Sequence, residues 1–186
     1  MSDVSDPSVL VVSATRAEAR YVPSGARLLI TGIGKVRAAT ALAGVLAGEG
    51  PPVREVLNIG TAGALRGHAG LFQPSVVVEH DISSAALRAM GYPIVDRWDL
   101  PGGDGTVLAS GDTFVADAGR RAELARDADL VDMEGCAIAY AANHFGVGCR
   151  IVKVVTDAAD DGAMDWPSLV DDAAARLGEW LEQNLR

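Results

Sequence analysis

Short apolar runs alternate along the chain with stretches whose apolar residues recur at helical spacing. Runs of this length, bounded by glycine, proline and small polar residues, are typical of buried strands. They predict strands at residues 8–14, 26–32, 53–60, 75–80, 106–110, 128–133 and 150–157. Helical spacing predicts helices at residues 36–48, 134–145 and 167–185, the last with Pro167 in its first turn. Apolar strands separated by helices predict an α/β fold, with a mostly parallel or mixed central sheet flanked by helices in a single domain over residues 1–186.

The segment from Ser83 to Gly105 fits this pattern least well. It ends in the turn-forming sequence PGGDG at residues 101–105 and contains no long apolar run. We therefore expect this segment to be irregular and to form a mobile flap beside the sheet.

Composition and charge narrow the possible partners. The chain has 186 residues, 49% of them hydrophobic, and a chain of this length buries roughly 70% of its unfolded surface. Acidic residues outnumber basic ones, 25 to 16, and the formal charge of -9 argues against a nucleic-acid partner. The first ten residues lack a basic leader, and no apolar run approaches the roughly 20 residues that a membrane span needs. We therefore expect a cytoplasmic protein without a membrane partner.

The cysteines, histidines and clustered aspartates predict neither a disulfide nor a metal site. Cys136 and Cys149 fall in a predicted helix and a predicted strand, where we expect buried thiols. The three histidines show no ligand spacing. Asp157, Asp160 and Asp161 lack the ligand pattern of a calcium loop. No metal and no cofactor are predicted.

Polar and glycine-rich sequences follow nearly every predicted strand. In an open α/β sheet, ligands bind beyond the carboxyl ends of the strands, so these sequences should meet at one edge. They are SATRAE, TGIGK, NIGTAG, SGDTF, VDMEG and VVTDAADD. TGIGK alone favours a tight turn, because Arg37 replaces the third glycine of a dinucleotide fingerprint. NIGTAG suits equally a structural turn and a loop whose amides approach a ligand.

Asp132 and Glu134 lie at the junction between a predicted apolar strand and the predicted helix that follows it. An unpaired carboxylate at a buried strand end loses its solvation and gains nothing in return. A polar partner is therefore expected beside these two side chains.

Five sequences, taken in order, resemble those of one enzyme superfamily. They are GIGKVRAA, NIGTAGAL, SGDTF, VDMEGCAIA and VVTDAAD. This set is similar to the nucleoside phosphorylases and nucleosidases, and within them to the methylthioadenosine/S-adenosylhomocysteine nucleosidases. The similarity extends through most of the chain, and it implies a nucleoside phosphorylase-like fold.

The resemblance implies two catalytic carboxylates. Asp157 matches the general acid, which gives or shares a proton at N7 of the purine. Glu18 matches the carboxylate that positions and deprotonates the attacking water. Without the resemblance, Asp157 would be interpreted as a cap or turn residue and Glu18 as part of a solvated helix face. An acid and a base in one site need environments that separate their pKa values, and we expect Asp157 to be the more desolvated.

The resemblance also implies a set of substrate-binding residues. Met133 should pack on the sugar, and Glu134 should accept hydrogen bonds from the ribose hydroxyls. A first-turn acid at a helix dipole is the alternative for Glu134, and the two roles are compatible. Asp132 is expected to be structural. The remaining members are Phe114 and Val115 at the base, Thr61, Ala62 and Gly63 beneath the sugar and water, and Lys153, where the nucleosidases usually have arginine.

Two departures from the superfamily concern the nucleophile. Asn58 stands where phosphorylases typically carry an arginine that holds phosphate. The early phosphate motif of the phosphorylases is also absent, so water is favoured over phosphate. Arg16 is nevertheless predicted to lie close enough to the site to bind an anion.

Another departure concerns length. The region between Glu18 and Gly32 is shorter than in the relatives, and it normally helps to shape the pocket for the 5' substituent and the dimer contact. His80 and Asp81 resemble the segment that leads into the flap. Met90 and Tyr92 could line the 5' side or serve ordinary packing.

These observations predict an enzyme with a small-molecule nucleoside as its partner. The predicted reaction is hydrolysis of the N-glycosidic bond of an adenine-type nucleoside, such as methylthioadenosine or S-adenosylhomocysteine, by a homodimer. The alternatives are a futalosine hydrolase, a phosphate-dependent nucleoside phosphorylase and a catalytically silent nucleoside-binding protein.

Overall fold

The computed structural model describes residues 6–160 and 166–185. The helices are α1 (Lys35–Leu46), α2 (Ser84–Ala89), α3 (Ala118–Leu124), α4 (Gly135–His144) and α5 (Trp166–Asn184). The strands are β1 (Val9–Ser13), β2 (Arg27–Ile30), β3 (Glu55–Ala64), β4 (Leu71–Phe72), β5 (Val76–Glu79), β6 (Arg97–Asp99), β7 (Val107–Ser110), β8 (Leu130–Asp132) and β9 (Gly148–Asp157). Every predicted strand and helix is present. Asp161, considered above as a metal ligand, lies outside the described residues.

The strands form one mixed sheet, which confirms the predicted fold class. Within the described residues it has nine strands, seven of them in the order β2-β1-β3-β8-β7-β5-β6; β9 pairs with β3, and β4 pairs with β9. Most neighbours are parallel, whereas β3 with β8, β4 with β9, and β5 with β6 are antiparallel. The parallel pair β3 and β9 is the longest, and it carries Thr61, Gly63 and Asp157 to the same edge.

Apolar side chains pack on both faces of this sheet. Leu10 and Val12 of β1 pack in one cluster with residues of α1 and α4, whereas Val11 between them packs with residues of α5. Successive side chains of a strand point to opposite faces, so a strand covered on both sides must be apolar throughout. This explains the uninterrupted apolar runs in the sequence. The buried face of α4 carries many alanines, which allow it to lie close to α1.

The expectation of an irregular segment from Ser83 to Gly105 is wrong in part. The segment contains α2 and the edge strand β6, which pairs antiparallel with β5. Trp98 and Leu100 anchor it, because both side chains are buried in the core cluster that includes α4. A tryptophan and a leucine spaced two residues apart suffice to hold this short strand on the sheet.

Cys136 and Cys149 are buried free thiols, as predicted. None of the helices described over residues 6–160 and 166–185 combines the length and apolarity that crossing a bilayer requires. The described residues also contain no group of three or more side chains placed to hold a metal ion.

Gly178 and Gly44 provide a matched test of how closely α5 packs on the N-terminal region. A Cβ at Gly178 would lie 2.6 Å from Cβ of Tyr21 and 2.7 Å from its carbonyl oxygen, whereas nothing lies within 4 Å at Gly44. Gly178→Ala should therefore lower the free energy of unfolding by about 1–3 kcal/mol through overpacking. Gly44→Ala should raise it by roughly 0.5–1 kcal/mol, the gain in helix propensity. Urea denaturation measures both, and equal stabilisation by the two substitutions would contradict this packing.

Candidate active site

A cavity of about 150 Å³ opens at the sheet edge where β1, β3 and β9 end. Its wall combines four carboxylates with small and apolar side chains. The lining residues are Ala14, Thr15, Glu18, Ile33, Thr61, Ala62, Gly63, Thr113, Phe114, Val115, Val131, Asp132, Met133, Glu134, Thr156 and Asp157. The strand-end sequences therefore meet at one edge.

Glu18 lies in the cavity wall with its carboxylate held by two threonines. One oxygen accepts hydrogen bonds from the backbone N and the hydroxyl of Thr15, at 3.1 and 2.8 Å. The other accepts from the backbone N and the hydroxyl of Thr61, at 2.9 and 3.0 Å. The backbone N of Glu18 in turn donates to the Thr15 hydroxyl, which makes a reciprocal capping box. These contacts fix a carboxylate that is only 5% exposed.

Asp132 has the polar partner that its position demanded. Its Oδ2 lies 2.8 Å from Nζ of Lys153, and both side chains are 2% exposed. Asp132 also accepts hydrogen bonds from the backbone N of Gly135, at 3.0 and 3.2 Å. Burial lowers the pKa of Lys153, but the carboxylates of Asp132, Glu134 and Glu18 outweigh it, so the pKa of Lys153 is raised overall. Lys153 is therefore a buried cation.

Lys153 does not line the cavity, in contrast to the predicted contact with the substrate. The residue lies opposite Gly60 in the β3–β9 register. A Cβ at Gly60 would come within 3.3 Å of Nζ of Lys153 and 2.9 Å of Oε1 of Glu18. The glycine thus leaves the space that the ammonium and the carboxylate occupy. The structure places Lys153 beneath the cavity, where its charge acts on the carboxylates above it.

Glu134 is the carboxylate whose ionisation the site changes most clearly. It is 6% exposed, and its Oε1 accepts a hydrogen bond from the backbone N of Gly34 at 2.8 Å. Burial and the charge of Asp132 raise the pKa of Glu134 to about 7, against the opposing effects of Lys153 and Gly34. Near neutral pH, Glu134 is therefore divided between its protonated and ionised forms.

Asp157 lies at the end of β9 with both carboxylate oxygens occupied. Oδ1 accepts a hydrogen bond from the backbone N of Ala159 at 2.9 Å, and Oδ2 accepts from the hydroxyl of Thr156 at 2.8 Å. The contact to Ala159 is an Asx turn, the alternative that sequence alone had favoured. Asp157 nevertheless lines the cavity, so the turn and an active-site position coexist.

The expectation that Asp157 is more desolvated than the other catalytic carboxylate is wrong. Asp157 is half-buried, whereas Glu18 and Glu134 are 5% and 6% exposed. The physical reason is position: Asp157 is the last residue of β9, where the strand leaves the sheet. Glu18 and Glu134 are covered by the loops that follow β1 and β2.

The remaining predicted residues all reach the cavity wall. Val115 is buried, Met133 is half-buried, and Phe114 stands at the mouth with 49% of its surface exposed. Ala62 and Gly63 are buried and Thr61 is half-buried, all at the end of β3. A Cβ at Gly63 would lie 3.0 Å from Oδ1 of Asp157, so the glycine permits the close approach of these two strands.

Other residues considered from sequence lie away from the cavity. Arg16 is exposed and is not part of the wall. Met90 and Tyr92 are exposed at 63% and 61%, and His80 and Asp81 do not line the cavity either.

Asp132 was expected to be structural, and sequence reasoning missed six further wall residues: Ala14, Thr15, Ile33, Thr113, Val131 and Thr156. Thr15 had a usable signal, because Thr15 and Glu18 form the T-x-x-E pattern of a capping box. Ile33 had none, since an exposed apolar residue in a turn is ordinary.

The fold is that of a nucleoside phosphorylase-like protein, and comparison with known proteins agrees. A model of the phosphorylase superfamily matches residues 104–185. The 5'-methylthioadenosine/S-adenosylhomocysteine nucleosidase of Actinobacillus succinogenes is 30% identical over 166 residues, which cover 73% of this chain and 69% of that protein. The aminodeoxyfutalosine nucleosidase of Helicobacter pylori strain J99 is 27% identical over 176 residues, 81% of this chain and 75% of that protein. The chain belongs to the nucleoside phosphorylase and nucleosidase superfamily, and within it resembles the methylthioadenosine/S-adenosylhomocysteine nucleosidases.

Solved structures share this fold over nearly the whole chain. A mutant of the Helicobacter pylori methylthioadenosine/S-adenosylhomocysteine nucleosidase, with 5'-methylthioadenosine in its active site, aligns with a TM-score of 0.82. The alignment covers 96% of this chain and 97% of that chain at 21% identity. The native futalosine hydrolase of Helicobacter pylori strain 26695 aligns with a TM-score of 0.80 at 21% identity, over 94% and 95% of the two chains.

Glu134→Gln should change stability in a pH-dependent way. A carboxyl group whose pKa is raised by folding contributes stability that is present below its ordinary pKa of 4.5 and is lost as pH rises toward about 7. Glutamine does not ionise, so the variant should gain stability relative to the wild type between pH 5 and pH 8. Urea unfolding at several pH values measures the difference, with the exposed Glu49→Gln as the control for the substitution itself. A constant difference across this range would show that Glu134 is not held protonated by its surroundings.

Proposed function

We propose that this protein is a nucleosidase that uses water to cleave the N-glycosidic bond of an adenine-type nucleoside, such as methylthioadenosine or S-adenosylhomocysteine. The observation that carries the proposal is the charge of the cavity wall. Glu18, Asp132, Glu134 and Asp157 line the cavity, and no lysine, arginine or histidine is among the lining residues that the structure describes.

This charge distribution suits hydrolysis better than phosphorolysis. Breaking a C–N glycosidic bond develops positive charge on the sugar, which nearby carboxylates stabilise. A phosphate nucleophile would enter the same cavity as an anion, and the wall offers it no cation. Asn58 is uncharged and 1% exposed, and its amide donates to the backbone oxygen of Val12 at 3.1 Å. Water is therefore the better nucleophile for this site.

The proposed mechanism divides the chemistry between two carboxylates. Glu18 accepts a proton from water as the water oxygen bonds to C1' of the ribose. The electron pair of the breaking C–N bond moves to the base, and Asp157 supplies or shares the proton that N7 takes up. Both oxygens of Glu18 already accept two hydrogen bonds each. A hydroxyl of Thr15 or Thr61 therefore turns away to admit the water, which hydroxyl rotation allows.

The proposed substrate contacts follow the geometry of the wall. Glu134, buried and close to its pKa at neutral pH, accepts hydrogen bonds from the ribose hydroxyls while Met133 packs on the sugar. Phe114 and Val115 bind the base, and the loop of Thr61, Ala62 and Gly63 lies beneath the sugar and the water. Lys153 takes part indirectly, by balancing the buried carboxylates. A homodimer in the cytoplasm belongs to the same proposal.

A nucleosidase for futalosine-type nucleosides is the second candidate. Ile33 and Phe114 line the cavity and are 46% and 49% exposed, so its mouth is open to a large 5' substituent. The similarity to an aminodeoxyfutalosine nucleosidase over 81% of this chain supports the same candidate. Both candidates use the same acid and the same water, and they differ in the group at the 5' position.

A substrate panel tests the proposed function. Methylthioadenosine, S-adenosylhomocysteine, adenosine, inosine, futalosine and aminodeoxyfutalosine would each be incubated with the protein, with and without phosphate, and the products separated by chromatography. We expect free base and free sugar at rates that do not depend on phosphate, and the best substrate would distinguish the two candidates. Sugar phosphate that appears only with phosphate would identify a phosphorylase. Tight binding without cleavage would identify a silent binding protein.

Asp157→Asn should lower turnover without a comparable loss of binding. Asparagine keeps the shape of the side chain but has no proton to give to N7, so kcat should fall by about 10²- to 10⁴-fold. The dissociation constant of a nucleoside should remain within a few-fold of the wild type. Asp127→Asn, an exposed position away from the cavity, is the matched control. Unchanged turnover in Asp157→Asn would remove this residue from the mechanism.

A further inference from the structure

Lys35, the first residue of α1, contacts two carboxylates: that of Glu79, the last residue of β5, and that of Asp81, two residues further along the chain. Its Nζ lies 2.6 Å from Oε1 of Glu79 and 2.6 Å from Oδ1 of Asp81. The three side chains are 21%, 17% and 18% exposed, so these contacts are largely shielded from water. Burial lowers the pKa of Lys35, but the two carboxylates outweigh it and raise that pKa overall. Lys35 therefore carries its charge throughout the physiological pH range.

Asp112, in the loop after β7, closes these contacts into a ring. The backbone N of Asp112 donates to Oδ2 of Asp81 at 2.8 Å. The backbone N of Lys35 donates to Oδ1 of Asp112 at 2.8 Å. Lys35, Asp81 and Asp112 thus each contact the other two, and together they form what we call the Lys35 ring. The ring joins the start of α1, the residues that follow β5 and the loop after β7.

The neighbours of the Lys35 ring in sequence touch the cavity. Gly34 precedes Lys35, and its backbone N donates to Oε1 of Glu134 at 2.8 Å. Phe114 stands two residues after Asp112 and lines the mouth. Gly34 has a φ of 98°, and a Cβ there would lie 3.0 Å from Oδ1 of Asp112. The turn between the ring and Glu134 therefore requires glycine.

We propose that Lys35, Asp81 and Asp112 are positioning residues, which hold the Gly34 amide on Glu134 and Phe114 at the mouth of the cavity. The inference rests on the proposed function, because Glu134 and Phe114 are the residues assigned there to the ribose and the base. None of the three ring residues lines the cavity, so the ring acts through its neighbours.

Loss of the Lys35 charge should loosen two loops at once, the one that contains Gly34 and the one that contains Asp112 and Phe114. Glu79 and Asp81 would lose the cation that neutralises them, and like charges at this separation repel. His80 lies between them in sequence, and a guanidinium nitrogen of Arg120 lies 3.2 Å from its Nδ1 and 3.2 Å from its carbonyl oxygen. That second cation contacts His80 and not the two carboxylates, so it does not replace Lys35.

The loosened loop should also change the ionisation of Glu134. The charged groups that act on Glu134 are Asp132, Lys153 and Glu18, and the ring leaves all three in place. The hydrogen bond from Gly34 lowers the pKa of Glu134, so losing it should raise that pKa. This effect distinguishes positioning from a general loss of stability.

The test compares Lys35→Met and Asp112→Ala with the wild type. In the ligand-free protein, the ¹⁵N and ¹H shifts of the Gly34 amide are followed against pH by NMR, and kcat and KM are measured on the best substrate of the panel. In the wild type the Gly34 amide should titrate with Glu134 near pH 7. In both variants the midpoint should rise or the response should vanish, and kcat/KM should fall roughly 10- to 100-fold.

Matched variants make this test specific. Lys35→Arg keeps the charge and should retain most of the activity and the wild-type titration. Arg97→Met removes a cation from an exposed ion pair with Asp99, 3.5 Å apart on the edge strand, and should change neither readout. The double variant Lys35→Met/Asp112→Ala should lose about as much activity as either single variant, because both break one ring.

Each outcome decides either the inference or the proposed function. A folded Lys35→Met or Asp112→Ala protein with the wild-type Gly34 titration would overturn the inference, whether or not its activity fell. Additive losses in the double variant would also overturn it. Absence of nucleoside cleavage by the wild type would overturn the proposed function alone, since a changed Gly34 titration in the variants would still support the positioning role.

Discussion

The buried ion pair between Lys153 and Asp132 is the interaction on which the rest of the site depends. Glu18, Asp132 and Glu134 are each less than a tenth exposed, and together they would bring three negative charges into a dry region. Lys153 supplies positive charge from below, with its Nζ 2.8 Å from Oδ2 of Asp132. The absence of a side chain at Gly60 leaves room for this ammonium beside Glu18. Breaking a buried pair by removing one partner typically costs about 3–5 kcal/mol. The folded protein therefore needs Lys153 in order to bury these carboxylates.

One cation does not balance all of these carboxylates, and the imbalance has chemical consequences. The cavity wall keeps an excess of negative charge, which Glu134 partly relieves by taking up a proton near neutral pH. Such a wall favours a sugar that becomes positive as its bond to the base breaks, and it opposes an anionic nucleophile. Burial and the charge of Asp132 together raise the pKa of Glu134, and the same excess of negative charge supports water as the proposed nucleophile.

Much of the fold could be predicted from the sequence, because strands buried on both faces leave an unmistakable pattern. The antiparallel pairing of β3 with β8 could not, since it joins residues such as Gly63 and Val131 that are distant in sequence. Anchoring of the segment around Trp98 could not be predicted either, because its partners lie on α4 and not in the segment itself. Local sequence patterns indicate secondary structure, whereas the β3–β8 pairing and the anchoring of Trp98 depend on contacts between residues that are distant in sequence.

The candidate site, like the fold, could be predicted from the sequence only in part. Nine of the sixteen wall residues were predicted as site residues, because the strand-end sequences carry a strong family resemblance and strand ends meet at one edge. The positions of individual charges were harder to predict. Lys153 lies beneath the cavity instead of in its wall, and Asp157 is less buried than Glu18 or Glu134. The contacts of the Lys35 ring could not be predicted, because its members are far apart in sequence, at the start of α1, after β5 and after β7.

The identity of the nucleophile tests the central claim most directly. Methylthioadenosine, or the best substrate of the panel, would be cleaved in H₂¹⁸O in the presence of phosphate, and the sugar product analysed by mass spectrometry after brief reaction. The account predicts a free sugar that carries ¹⁸O at C1 and no sugar phosphate. A sugar phosphate as the initial product, without ¹⁸O at C1, would contradict it and would show that the carboxylate-lined cavity admits phosphate.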